Sequence, residues 1–341
     1  MAKINLLTIH WGYSNGAVLQ TYATAKLLMQ CGHEVSVINI THPTKYRLNP
    51  FKRETYKYFF THLNYERFRK QHFPKLTKQM RTIDVSKLPA ADYYVIGSDQ
   101  VWNKDVTSSN SQSFFLDFIT NVKKIALASS FGKSKWEESA EYTAKVRELL
   151  KDFDAIAVRE DSGVDICKEI FNVNAIQVVD PTLALADFNN FISDKKNKKN
   201  IFSFFINNIK DKNQILATVS KELNKPLHKE SKIDVLFRRS PRKWLENIYN
   251  AEYIVTDSFH GVVFSLLFNK QFIVVIGNKA KATRLISLLK LMGLGERAIN
   301  SLEELKNNIE IIHKEIDYTH IMAIIKEEQK KYIKFISDNI K

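Results

Sequence analysis

The chain has 341 residues, with 51 Lys plus Arg against 37 Asp plus Glu, a net charge of +14 at neutral pH. Hydrophobic residues make up 44% and charged residues 26%, ordinary values for a soluble globular protein, which excludes a disordered chain, a fibrous repeat and a disulfide scaffold. The length predicts two domains, and two cysteines, Cys31 and Cys167, are too few for a disulfide framework or a cysteine-based zinc site, so a reduced cytoplasmic compartment is expected.

The first forty residues predict strand, loop, helix, strand. Lys3 to Ile9 reads as a buried strand, and His10 to Gly16 has loop composition. Ala17 to Gln30 carries Val18, Tyr22, Ala25 and Met29 near one helical face, Gly32 is a stop, and Val35 to Ile40 is a second strand. This is a Rossmann-like opening, but the glycine spacing lacks GxGxxG and predicts no dinucleotide. The apolar run Ile4 to Ile9 is too short for a signal peptide. His10, Ser14, Asn15 and Gln20 interrupt the stretch to Ala25, so no transmembrane helix is expected. Lys45 to Arg81 then holds eleven Lys or Arg against two Glu, a local balance of +9, with nine aromatic residues. Such a segment suits a solvated helical face or a contact with nucleic acid or an anionic membrane; the membrane surface is the favoured contact.

Further strands are predicted at Asp92 to Gly97, Lys124 to Ser129, Asp154 to Val158 and Ala175 to Val179, with a helix at Trp136 to Leu150. Each strand runs into a polar turn: Ser98-Asp99-Gln100, Ser130-Phe131-Gly132, Arg159-Glu160 and Asp180-Pro181-Thr182. Ligands of open parallel sheets bind at that carboxyl edge. Ser193 to Asn200 is a charged run read as a surface loop. A second alternation follows, with strands at Ile201 to Ile206, Tyr253 to Thr256 and Phe272 to Ile276. Its helices fall at Asp211 to Leu223, Pro241 to Tyr249, Ser258 to Phe268 and Thr283 to Met292. The last forty residues read as helical, with Ile309, Ile312, Ile316, Ile321, Ile324 and Ile325 on an apolar face. The expected class is α/β. An N-terminal Rossmann-like domain spans 1–183, a C-terminal one spans 184–320, and a helix at 321–341 crosses back to the first. This resembles the GT-B arrangement, in which two parallel sheets face one another across a cleft.

Thr256-Asp257-Ser258-Phe259-His260-Gly261 is the first candidate site. Ser258 or Asp257 can cap the helix, whose N-terminus offers backbone N–H groups and a positive dipole end to an anion. His260 sits in the first turn, and Gly261 permits close approach. A packed histidine at a sheet edge is the competing reading. Arg284 follows after the next strand, preceded by Lys279 and Lys281, and Arg159 offers a further cation; each suits a phosphate or carboxylate, or a surface ion pair.

Six stretches occur in order: Asn15-Gly16-Ala17-Val18-Leu19-Gln20, Gly97-Ser98-Asp99-Gln100-Val101-Trp102-Asn103, Ser129-Ser130-Phe131-Gly132, Val158-Arg159-Glu160, Asp180-Pro181-Thr182-Leu183 and Thr256-Asp257-Ser258-Phe259-His260-Gly261. Together they resemble the polysaccharide pyruvyltransferase family, from Met1 to about Gly295. Glu160 departs from the family pattern, which often has Asp there. The resemblance implies a GT-B-like fold and transfer of pyruvyl from phosphoenolpyruvate to a hexose of a surface-polysaccharide repeat unit carried on undecaprenyl diphosphate. A cyclic ketal forms and phosphate is released. It further implies cytoplasmic work at the inner membrane face, and His260, Arg159 and Arg284 as catalytic positions. Arg284 is matched by spacing only, and Lys281 is its rival. Asn15, Gly16, Asp99 and Gln100 are expected on the acceptor side, Ser258, Gly261 and Lys281 on the donor side.

The chemistry of the residues agrees. Phosphoenolpyruvate is a dense anion that needs cations and N–H groups, its C3 needs a proton donor, for which His260 is the candidate, and an acceptor hydroxyl must lose a proton, for which Asp99 is one; capping its own turn is the other role open to Asp99. No metal and no cofactor beyond the co-substrate is expected, since no ligand cluster has metal-site spacing. Two other readings share these features: a GT-B glycosyltransferase with a nucleotide-sugar donor, and a basic nucleic-acid-binding protein. Against the first, cations rather than a ribose-binding carboxylate follow His260; against the second, the charge gathers in one segment and no reading motif is present.

Overall fold

A computed structural model describes residues 1–41, 53–193, 195–277 and 282–341. The chain divides into two units, Met1–Leu185 with Glu327–Lys341, and Ala186–Lys326.

The first unit runs β1 (Lys3–Leu7), α1 (Asn15–Gln30), β2 (Glu34–Val37), α2 (Arg53–His72), β3 (Lys75–Leu76), β4 (Tyr93–Ile96), α3 (Lys104–Thr107), β5 (Lys123–Ser129), α4 (Ala140–Lys151), β6 (Ala155–Val158), α5 (Asp161–Glu169), β7 (Ile176–Gln177) and α6 (Pro181–Leu185). The seven strands are parallel in the order β3-β2-β1-β4-β5-β6-β7. The chain therefore fills one side of β1 before crossing to the other, which puts the topological switch between β1 and β4. Ile4, Leu6, Val95, Ile96, Ala126 and Val158 are fully buried, as strands covered on both faces require. Burying each of the Ile, Leu and Val side chains contributes about 1.5–3 kcal/mol.

Helix starts follow their caps rather than hydrophobic periodicity. Ser14 Oγ accepts from Ala17 N at 3.3 Å, so α1 begins at Asn15 and not at Ala17; Asn15 and Gly16 are helical, not loop. Ser139 caps α4 in the same way, which moves its start from Trp136 to Ala140. The strand expected at Ala175 to Val179 is the two-residue β7, and β3, also of two residues, is too short for any period to show.

The second unit runs β8 (Lys198–Phe204), α7 (Lys212–Leu223), α8 (Lys232–Phe237), α9 (Pro241–Asn250), β9 (Ala251–Thr256), α10 (Phe259–Leu267), β10 (Gln271–Val275), α11 (Thr283–Leu291), β11 (Ala298–Ile299), α12 (Leu302–Asn307) and the start of α13 (Tyr318–Asn339). Its strands are parallel in the order β11-β10-β9-β8. After α7 the chain bridges the outer side of β8, where Ile201 pairs with Leu227, before β9 takes the inner side. The reversal at β8 is the same switch that the first sheet makes at β1. The run read as a charged loop ends early, because β8 begins at Lys198. The single helical run expected at the C-terminus is broken. A 3₁₀ turn occupies Ile309–Ile312, and Asp317 Oδ1 accepts from Thr319 N at 2.9 Å ahead of α13.

Candidate active site

At the carboxyl edge of the first sheet the loop after β1 is braced from several directions. Gln20, buried in α1, donates to Thr8 Oγ1 at 3.0 Å and to the Ile9 carbonyl at 2.9 Å. The Thr8 hydroxyl donates to the Ser98 carbonyl at 3.0 Å, spanning the switch point. Arg69 of α2 donates to the carbonyls of His10 at 2.9 Å and Gly12 at 3.3 Å and pairs with Glu66. His10 is buried and stacked on Phe73; burial, then the Arg69 charge, lower its pKa to about 3. Asn15 opens α1 and its Oδ1 accepts from the Tyr65 hydroxyl, while Gly16 is buried in the same turn.

The turns after β4, β5 and β6 lock together with the segment after β7. Arg159 lies between two carboxylates, ion-paired to Asp180 and, at 3.2 Å, to Asp99, with its side chain only 1% exposed. Asp180 Oδ1 also accepts from Thr182 N at 2.9 Å. Glu160, fully buried, takes Ser130 Oγ at 2.8 Å, Phe131 N at 3.0 Å and Gly132 N at 3.3 Å on one oxygen. Such carboxylate-to-N–H bonds are charge-assisted and strong. Asp99 has φ of 69°, and its Oδ1 also accepts from Gln100 N at 2.9 Å. Gln100 Oε1 accepts from Asn103 Nδ2 at 2.9 Å, and a Cβ on Gly132 would stand 2.1 Å from that same oxygen. Four of the six sequence stretches thus fasten one another. Asp99 and Gln100 reach solvent in part, and the Arg159 guanidinium faces carboxylates inside the unit.

The second unit's edge is built differently. Thr256 Oγ1 donates to the Phe204 carbonyl at 2.6 Å and accepts from Ser258 N at 3.0 Å. Asp257 is no helix cap: its two oxygens take Ile206 N at 2.7 Å, Asn207 N at 2.8 Å and Asn207 Nδ2 at 2.9 Å, holding the turn after β8. Ser258 is the cap, accepting from Gly261 N at 3.2 Å. Gly261 is required by its neighbour, since a Cβ there would lie 2.6 Å from Thr256 Oγ1. His260, 8% exposed, sits edge-on to Phe259 with ring centroids 5.3 Å apart. The Arg284 guanidinium lies over the same Phe259 ring, 5.6 Å from its centroid. Arg284 is in the first turn of α11, and neither α10 nor α11 has an acidic residue in its first turn. Ser258, His260, Gly261 and Arg284 therefore share one neighbourhood, around an aromatic ring that the sequence reading had assigned no part. Lys279 and Lys281 lie outside the described residues.

The model of the family described as polysaccharide pyruvyl transferase matches residues 16–279. The chain belongs to that family. The match takes in the described edge residues from Gly16 to Gly261; the loop after β1, from Thr8 to Asn15, lies just before it, and Lys281 and Arg284 just beyond it. No curated protein is a significant sequence match to the chain. Among solved structures, LpCGTa in complex with UDP is similar over 99% of both chains, with 11% identity and a TM-score of 0.54. The Staphylococcus aureus MnaA–UDP structure is similar over 100% of this chain and 98% of its own, with 12% identity and a TM-score of 0.53. At such identities the likeness shows the fold, which is GT-B-like α/β with two parallel sheets. Among the described residues no group of three His, Cys, Asp or Glu side chains is placed to hold a metal ion, and no helix is long and apolar enough to cross a membrane.

Proposed function

We propose that this pyruvyl transferase takes phosphoenolpyruvate as donor and builds a cyclic pyruvate ketal on two hydroxyls of a hexose in a lipid-linked polysaccharide repeat unit. The observation that carries the donor half is the pairing of His260 with Arg284 about Phe259, at two helix N-termini without acidic first turns. Arg284 and the first-turn N–H groups of α10 take the phosphate and carboxylate oxygens. His260 gives a proton to C3, which leaves C2 electrophilic. A sugar hydroxyl attacks C2 and returns a proton to His260. The C2–O bond to phosphate then breaks, the second hydroxyl closes the ketal, and its proton leaves with the phosphate. Net, phosphoenolpyruvate and a diol become ketal and inorganic phosphate. Asn15, Asp99 and Gln100 are proposed to bind the acceptor, with Asp99 orienting a hydroxyl. Arg159 acts through Asp99 as a positioning residue.

The test is phosphate release from phosphoenolpyruvate with a panel of galactosides, glucosides and mannosaminides. Release that depends on one glycoside, with a mass gain on the sugar equal to pyruvic acid less one water, is the expected result. The GT-B-like fold also serves nucleotide-sugar donors, because fold does not fix chemistry. Release of nucleoside diphosphate from a sugar nucleotide, with no use of phosphoenolpyruvate, would replace this reading by that one.

A further inference from the structure

The helix α2 divides its surface sharply. Thr61, Tyr65, Phe68 and Arg69 point inward and are buried. Phe59, His62, Leu63, Arg67 and Lys70 are exposed and, at spacings of three and four, form one outward stripe. Phe59 is 52% exposed and Leu63 43%. Tyr13, from the loop after β1, is 37% exposed and stands edge-on to His62 with ring centroids 6.3 Å apart. Phe59 and Leu63 thus stand toward one end of the stripe, Tyr13 lies against its His62, and Arg67 and Lys70 stand toward the other end. The acidic residue beside them, Glu66, is paired with Arg69.

We infer that this face is a docking surface for an anionic lipid bilayer. Its two halves match the two layers such a surface offers: aromatic and aliphatic side chains settle at headgroup depth, and cations meet lipid phosphates. The helix supports a lying contact, not a span, since no described helix is apolar enough to cross. Duplex nucleic acid asks for cations along its track, and its paired, stacked bases offer no free face to an exposed Phe and Leu. The surface adjoins the proposed acceptor residues, because Tyr65 on the inner side of α2 donates to Asn15. The inference rests on the lipid-linked acceptor of the reading above for its purpose, though not for its test.

Full-length protein is sedimented with vesicles of phosphatidylcholine, alone or mixed with phosphatidylglycerol, at low and high salt. Binding to the mixed vesicles only, released by salt, is expected. Arg67→Ser with Lys70→Ser should weaken it about thirtyfold, and Phe59→Ser with Leu63→Ser should also weaken it. All four positions are exposed, so thermal melts should stay at the wild-type midpoint. Arg69 is left alone, since it braces the loop after β1. Equal sedimentation with neutral and anionic vesicles, or variants that bind like wild type, overturns the inference. So does a short duplex DNA that binds as tightly as the vesicles and loses affinity in the same variants. Phosphate release with a soluble glycoside is followed in parallel and should be unchanged in both double variants. Patch-dependent vesicle binding without any use of phosphoenolpyruvate sinks the functional reading and leaves the docking surface; turnover without vesicle binding does the reverse.

Discussion

The two sheet edges follow one plan, a strand into a polar turn into a helix, and use it for opposite ends. In the first unit the charged motif residues face each other: Arg159 sits between Asp99 and Asp180, and Glu160 grips the Ser130–Gly132 turn. In the second, the polar motif residues hold backbone, Thr256 on the Phe204 carbonyl and Asp257 on the turn after β8, while the cation and the imidazole meet at Phe259. A residue's presence in a motif therefore does not tell whether it touches a ligand. Partner charge separates the two guanidinium groups: that of Arg159 is flanked by two carboxylates, and that of Arg284 lies over an aromatic ring at a helix start.

Substitution at the second edge should separate rate from stability. His260→Gln keeps a polar side chain but not an imidazole that can give a proton to C3 and take one back. Loss of a general acid lowers kcat by about 10²–10⁴, with the thermal midpoint little changed. Near-wild-type kcat would remove His260 from proton transfer.

At the first edge the ranking reverses. Arg159→Ala leaves Asp180 buried without its ion-pair partner, a change that costs about 3–5 kcal/mol. Urea melts should show that loss directly. A variant within 1 kcal/mol of wild type would show that the ion pairs do not hold the edge together, and the contrast between the edges would fail.

Arg284→Lys gives a smaller effect. The planar fork that suits phosphate and the stacking on Phe259 are both lost, while the charge stays. KM for phosphoenolpyruvate should rise about tenfold or more, on the scale of one charged hydrogen bond, with KM for the glycoside unchanged. A shift in the glycoside constant alone would place Arg284 on the acceptor side.

Much of this contrast was legible in the chain, and its limits have physical causes. The strands were visible because both faces of a parallel strand are buried, giving apolar runs such as Tyr94 to Ile96. The carboxyl-edge turns followed from strand ends alone. The sense of each charge did not. Arg159 pairs with Asp180 across 21 positions and with Asp99 across 60, separations that no local pattern encodes. The choice between Asp257 and Ser258 as cap was open because either side chain can cap; Asp257 is drawn to Ile206 and Asn207, fifty residues away, where its charge meets three donors. In the basic segment, composition treated Arg67, Arg69 and Lys70 alike, whereas Arg69 faces inward because the helical turn puts it on the side of Tyr65 and Phe68.

His10 offers the gentlest test of how tightly the first edge is locked. Its pKa is depressed to about 3 by burial and then by Arg69, against about 6.5 in an unfolded chain. Between those values the unfolded state binds a proton that the native state refuses. Its contribution is therefore complete above about pH 6.5 and declines as pH falls, with a limiting slope of about 1.4 kcal/mol per pH unit. His10→Phe keeps a ring against Phe73 and removes the proton site. Other histidines add their own slopes, so the informative quantity is the wild-type minus variant difference in urea stability from pH 7 down to pH 4.5. That difference should shift steadily against the wild type on acidification. Parallel curves would show that acid finds His10 in the folded protein, and that the loop held by Arg69 opens far more readily than a locked edge allows.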